Sequence, residues 1–143
     1  MIDMEIKPYE RMVYYYETDR MGIVHHSNHI RYFEEARINF MNKIGCDVME
    51  LENKGVIIPN VDAYAKYIKP IRFDDDIYIE VKLVKFNGAL MEYNYTIRFC
   101  SDDTIAATGH TAHCFVGEDF KPITIRKKYP DFYNRLISVL TKK

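Results

Sequence analysis

No stretch of these 143 residues stays apolar for the roughly 20 positions that a membrane-crossing helix takes. The opening MIDMEIKPYE alternates charged with apolar residues where a signal peptide would run apolar. Cysteine is scarce and scattered: Cys46, Cys100 and Cys114 are odd in number and form no CxxC pair. That excludes a zinc knuckle or a dithiol redox motif and suits reduced thiols in a cytoplasmic protein. Neither sign of charge is in excess, with 20 Lys plus Arg against 21 Asp plus Glu. The chain therefore has no overall basic field for gripping a nucleic acid. Repeats, low-complexity tracts and Pro/Gly/Ser linkers are absent too, so one domain over 1–143 is expected. With 48% hydrophobic residues the chain reads as globular, and at this length it needs no disulfide staples.

What is present changes period along the chain. Residues 9–18 are rich in β-formers and read as a first strand, followed by a glycine-containing loop at 20–24. From Ser27 to Ile44, Ile30, Phe33, Ala36, Phe40, Met41 and Ile44 recur at helical spacing. Ser27 or Asn28 is placed to cap that helix and Gly45 to stop it in a left-handed conformation. Residues 47–54 read as a short second helix. The period then becomes two, giving strands at Val56–Ile68, Ile77–Phe86, Leu90–Cys100 and Thr104–Val116. Asn87-Gly88 is a hairpin turn and Asp102-Asp103 a second turn. Pro130–Leu140 suits a terminal helix. A strand, a long helix and a run of antiparallel strands make an α+β pattern, with one sheet packed on one main helix. Its open edges and uncovered outer face point to self-association.

The stretch richest in chemistry is YETDRMGIVHHSNH, Tyr16 to His29. It sets an acid, Asp19, before a glycine and then polar residues at a helix start. A helix N-terminus offers unpaired N–H groups and partial positive charge, which suit an oxyanion. A carboxylate facing it across a tight loop can attack an acyl carbonyl or activate water beside it, and Gly22 lets the backbone come close. The residues thus describe acyl transfer without Ser or Cys.

The segment TDRMGIVHHSNHIRYFEEAR, Thr18 to Arg37, resembles the signature of hotdog-fold acyl-CoA thioesterases, nearest the 4-hydroxybenzoyl-CoA thioesterase and YbgC-type branch. The likeness rests on Asp19, Gly22, the β-branched pair Ile23-Val24, His26 and Asn28, and continues through YIKPIRFDDDI and GHTAHCFV. It implies a curved antiparallel sheet wrapped around one long central helix. It also implies a homodimer, or a homotetramer built as a dimer of dimers, with sheets joined edge to edge and the site between subunits. Carried across, Asp19 is the catalytic carboxylate, as nucleophile or general base, and the N–H near His26 polarises the thioester carbonyl. The His26 side chain, Tyr15, Gly22, Val24 and Asn28 help hold the substrate. Tyr15, four residues before Asp19, is expected on the same strand face. Lys69 and Arg72, and more weakly Arg126, Lys127 and Lys128, could meet coenzyme A phosphates. His29 departs from the family, where a tyrosine or other aromatic is common. No cofactor is implied, since coenzyme A is part of the substrate.

Thioesters suit such sparse equipment. A carboxylate is ionised at neutral pH, and a leaving thiol with a pKa of about 8.5 departs with little acid help. Each residue also has a plainer reading. A lone aspartate is more often a loop or capping carboxylate, and Tyr14-Tyr15-Tyr16 is more often strand packing. His25 and His29 have the i, i+4 spacing of a metal pair, yet no HExxH motif accompanies them and no metal is expected. Two other functions share the fold: an acyl-CoA sensor that does not hydrolyse, and an acyl-thioester hydratase or dehydratase.

Overall fold

A computed structural model describes residues 6–141. The elements run β1 (Tyr9–Met12), α1 (His26–Lys43), α2 (Val48–Asn53), β2 (Asn60–Tyr67), β3 (Asp76–Phe86), β4 (Leu90–Phe99), β5 (Ile105–Cys114), α3 (Ile125–Lys128) and α4 (Pro130–Ser138). The five strands form one antiparallel sheet in the order β1-β3-β4-β5-β2. This curved sheet wrapped on α1 is the expected α+β hotdog architecture.

Period and burial agree on the concave face. Met91, Tyr93, Tyr95 and Ile97 of β4 are buried, as are Ile77, Ile79 and Leu83 of β3. A bulge between Leu83 and Lys85 shifts the register by one, so that Phe86 turns inward despite its even number. From α1, Tyr32, Phe33, Ala36, Phe40 and Met41 fill the trough. Gly109 of β5 leaves the space in which the Phe33 ring lies, its Cε2 being 2.1 Å from where a Cβ would stand. At the far end α1 stops at Ile44, with Gly45 beyond it at φ +81 as expected.

Three sequence expectations need correction. The first strand ends at Met12 instead of running to residue 18. Its partner β3 begins only at Asp76, so residues 14–17 have no ladder to join; instead the Glu17 carboxylate accepts from the Tyr14 N–H and closes a single 3₁₀ turn at Tyr15–Glu17. The helix begins one residue early, with His25 as its N-cap in place of Ser27 or Asn28, because the His25 Nδ1 reaches the Ser27 N–H. Strand β2 starts at Asn60, not Val56: Pro59 lacks an N–H, and before it only Ile57 bridges to Val116. Among the described residues no helix is long and apolar enough to cross a membrane.

Candidate active site

The loop between the 3₁₀ turn and α1 folds back on itself. The Asp19 N–H donates to the Ile23 carbonyl at 2.8 Å and the Gly22 N–H to the Asp19 carbonyl at 3.0 Å. Gly22 takes φ +79, a conformation open to glycine and strained for other residues. The half-buried Asp19 carboxylate accepts from the Met21 N–H at 2.8 Å through Oδ1, and no described residue hydrogen-bonds Oδ2.

Glu17 fastens this loop to the helix. Its carbonyl accepts from the His25 N–H at 2.9 Å and from Asn28 Nδ2 at 2.8 Å. Its carboxylate is buried and paired with Arg11, whose other nitrogen grips both oxygens of Glu35 at 2.7 and 2.9 Å. The Arg11 guanidinium also lies 4.2 Å from the Tyr32 ring centroid. On the other side the Val24 N–H donates to the Ile71 carbonyl at 2.7 Å, and Ile23 bridges to Arg72.

Asp19, Val24, His26 and Lys69 line one cavity of about 360 Å³. Its remaining wall comes from Met21, Ile23, His29 and the segment Tyr67–Ile71. The size falls in the range of small-molecule sites. His26 is the first residue of α1, and among the described residues its N–H has no acceptor. Its carbonyl accepts from the Tyr67 hydroxyl at 2.9 Å, which ties the edge strand β2 to the helix start.

Not every residue singled out in the sequence meets there. Tyr15 is not on a strand face with Asp19: it sits on the 3₁₀ turn, 76% exposed, edge-on to Phe73 at 5.6 Å. Asn28 faces away from the cavity and serves as the clasp to Glu17, in a polar groove that reaches Asp19 from the other side. Gly22 shapes the loop, and Arg72 is exposed outside the cavity with its N–H donating to Asp75 at 2.7 Å. Arg126, Lys127 and Lys128 sit on or beside α3, whose start hydrogen-bonds the Gly88 turn, and none lines the cavity. His25 and His29 diverge, the first exposed beside Ser27, the second buried.

Sequence reasoning missed Tyr67 and the Arg11–Glu17–Glu35 brace. The segment YIKPIRF held the signal for the first; for the second nothing at residue level marks it, because its partners lie on three separate elements.

Residues 13–128 match the thioesterase-like superfamily. The Bacillus subtilis (strain 168) protein named "Putative acyl-CoA thioesterase YneP" is 32% identical over 130 residues, 91% of this chain and 94% of its own length. Acyl-CoA thioester hydrolase YbgC of Escherichia coli O6:H1 is 25% identical over 85 residues, 59% of this chain and 63% of that protein. The crystal structure of DHNA-CoA thioesterase from Staphylococcus aureus superposes with a TM-score of 0.89 at 30% identity, covering 92% of this chain and 89% of that one. Since the matched stretch takes in the Asp19 loop, α1 and every strand but β1, the chain belongs to the thioesterase-like superfamily of hotdog-fold hydrolases.

Proposed function

We propose that this thioester hydrolase acts on acyl-CoA, releasing a carboxylic acid and coenzyme A, with Asp19 as the catalytic carboxylate. The observation that carries the reading is the meeting of Asp19 and the N-terminus of α1 on one apolar-walled cavity. The uncommitted oxygen of Asp19 can attack the thioester carbonyl or take a proton from water that attacks it. In either route negative charge grows on the carbonyl oxygen. The free His26 N–H and the positive end of the 18-residue helix stabilise it, fixed in place before the reaction begins. His26 and Val24 orient the acyl end, and Lys69 at the cavity wall supplies a cation for the coenzyme A phosphates. The thiolate of coenzyme A leaves unaided.

The same reading includes pairing of two copies along β2, as a homodimer or a dimer of dimers with the site at the subunit boundary. Support comes from β2 itself. It is an edge strand with one unpaired side, and Val61, Tyr64 and Tyr67 are 59%, 60% and 52% exposed.

Hydrolysis of a panel from acetyl-CoA to palmitoyl-CoA, with benzoyl-CoA and phenylacetyl-CoA, is followed with a thiol-trapping dye for wild type, Asp19→Asn and Asp19→Ala. Turnover of some panel members is expected, falling at least a hundredfold in both variants, the scale typical of losing an acid–base or nucleophilic group. Near-wild-type rates in both variants would remove Asp19 from the chemistry.

A further inference from the structure

A charge in the middle of α1 has nothing beside it to balance it. Arg37 is 7% exposed, and no described carboxylate lies within pairing distance of its guanidinium. Its one hydrogen-bond contact is weak, from Nη1 to Met41 Sδ at 3.8 Å. Buried charges are ordinarily paired, because shedding water is costly for them. The other guanidinium nitrogens are not sealed from solvent, so the cation looks out at the end of a buried stem.

It looks out toward the open edge of the sheet. Arg37 follows Phe33 by four residues and so shares its helix face, the one laid on Gly109 of β5. Beyond β5 lies only β2. Ala63 and Ala65 of β2 pair with Thr111 and Gly109, and partners across a ladder face the same way, so both alanines turn toward α1. Thr111 and Gly109 are buried, yet Ala63 is exposed and Ala65 half-buried. The inner side of β2 is therefore uncovered next to an unbalanced cation. Glu34, exposed and one turn before Arg37, makes no ion pair or hydrogen bond among the described residues. The charges of Glu34 and Arg37 both act on the Tyr95 hydroxyl, which puts them on one side of the helix.

Symmetry relates the two. Pairing of β2 with its copy sets a two-fold axis through that strand. The middle of β2 falls between Ala63 and Tyr64. Phe33 stands level with Ala65, and Arg37 lies toward His113, the partner of Asn60. The axis thus passes α1 between Phe33 and Arg37 and runs the two helices antiparallel, which brings residue 34 of each copy level with residue 37 of the other.

We infer that Glu34 of the partner subunit supplies the counter-charge of Arg37, and reciprocally, so that two ion pairs astride the axis hold α1 against α1 and cover Ala63 and Ala65. This rests on the pairing along β2 given with the proposed function. A second copy is the occupant that fits, because one face carries an unmatched cation and an unmatched carboxylate a turn apart, a pattern complementary to itself after a two-fold rotation.

Sedimentation of the full chain over a concentration series compares wild type, Glu34→Gln, Glu34→Lys and Arg37→Glu. Wild type is expected to dimerise. Glu34→Lys sets like charges together twice per interface and raises the dimer Kd at least about a hundredfold, with Glu34→Gln in between. An equimolar mixture of Glu34→Lys and Arg37→Glu chains is the sharper test. Each alone repels its own copy, whereas in the mixed dimer the introduced lysine meets the introduced glutamate and Arg37 meets Glu34, so heterodimers form selectively. Glu34 is exposed, so its variants keep the fold, and they decide the matter even where Arg37→Glu does not fold. A dimer equally tight in wild type and Glu34→Lys, or folded variants that show no preference for the mixed dimer, would overturn the ion pair while leaving the β2 pairing in place. Wild type monomeric at every concentration would overturn both and give the face to a different partner.

Discussion

Replacing Gly109 by alanine probes the packing that holds α1, and with it the helix end of the candidate site, against the sheet. A Cβ at this position would lie 2.1 Å from Phe33 Cε2, 2.3 Å from Phe33 Cζ and 2.9 Å from the Tyr64 carbonyl oxygen. Carbon atoms in contact sit about 3.5 Å apart or more, so ring and strand must separate by about 1.4 Å. Neither is free to yield. Phe33 is fully buried and stacked on Tyr95, centroids 4.6 Å apart and planes within 14°. Tyr95 is the β4 residue paired with Gly109, and the Tyr64 carbonyl belongs to β2 on the other flank.

Overpacking of a core costs about 1–3 kcal/mol, and a forced shift of this size belongs at the upper end. For a chain of this length, about 3 kcal/mol lowers Tm by about 10 °C. Urea titrations and thermal melts of wild type, Gly109→Ala, Phe33→Leu and the double variant measure it. Leucine vacates part of the ring's space, so the double variant should be at least about 1 kcal/mol more stable than the two single losses predict. A Gly109→Ala protein within about 0.5 kcal/mol of wild type, or strict additivity in the double variant, would refute the reasoning.

Arg11→Met leaves the buried Glu17 carboxylate without its cation; about 3 kcal/mol of stability is expected to go, with kcat falling more than KM rises, since the loop bearing Asp19 hangs on Glu17. Urea midpoints with steady-state kinetics check this, and a variant matching wild type in both would contradict it. For His113, burial and then the nearby Arg37 charge push the pKa down to about 3. The unfolded chain therefore binds the extra proton: His113's contribution is fully present above pH ~6.5 and is lost as pH falls from there toward 3, by up to about 1.4 kcal/mol per pH unit. The urea midpoint at pH 7.5, 6 and 5 should fall accordingly, and a flat profile would sink the assignment.

The period-two alternation of β4 and the helical spacing of α1 were legible because each element buries one face, and burial writes its period into the residues. Asp19, Gly22, Val24 and His26 were legible for a different reason: they lie within eight positions of one another, and a single loop carries them. The failures share a cause. Tyr14-Tyr15-Tyr16 has strong strand propensity, but a strand needs a neighbour, and β3 does not extend that far. The placement of Tyr67 beneath the helix start depends on β2 lying at the sheet edge, which local sequence does not encode. His29 reads from sequence as one of three clustered histidines, and only the packing of Tyr67 and Ile71 around it separates it from its exposed neighbours His25 and His26.

A site with one carboxylate and one helix end has little chemistry of its own, so its effectiveness must come from position. Position here is set by hydrogen bonds that belong to no motif. The Glu17 carbonyl gathers His25 and Asn28, Ile71 receives Val24, and Tyr67 closes on His26. Two of these bonds hold the loop to the helix, one to the segment after β2, and the last joins the helix start to the open edge strand. The edge that a second copy would cover is therefore the strand that fastens the helix end facing Asp19. Pairing along β2 would stiffen Tyr67 and, through its hydroxyl, the backbone of His26, whose N–H would meet the oxyanion under the proposed function. Under the proposed function, assembly and catalysis would be linked through one side chain, and so would core packing and catalysis, because α1 is held at its middle by Phe33 over Gly109 and at its start by Tyr67.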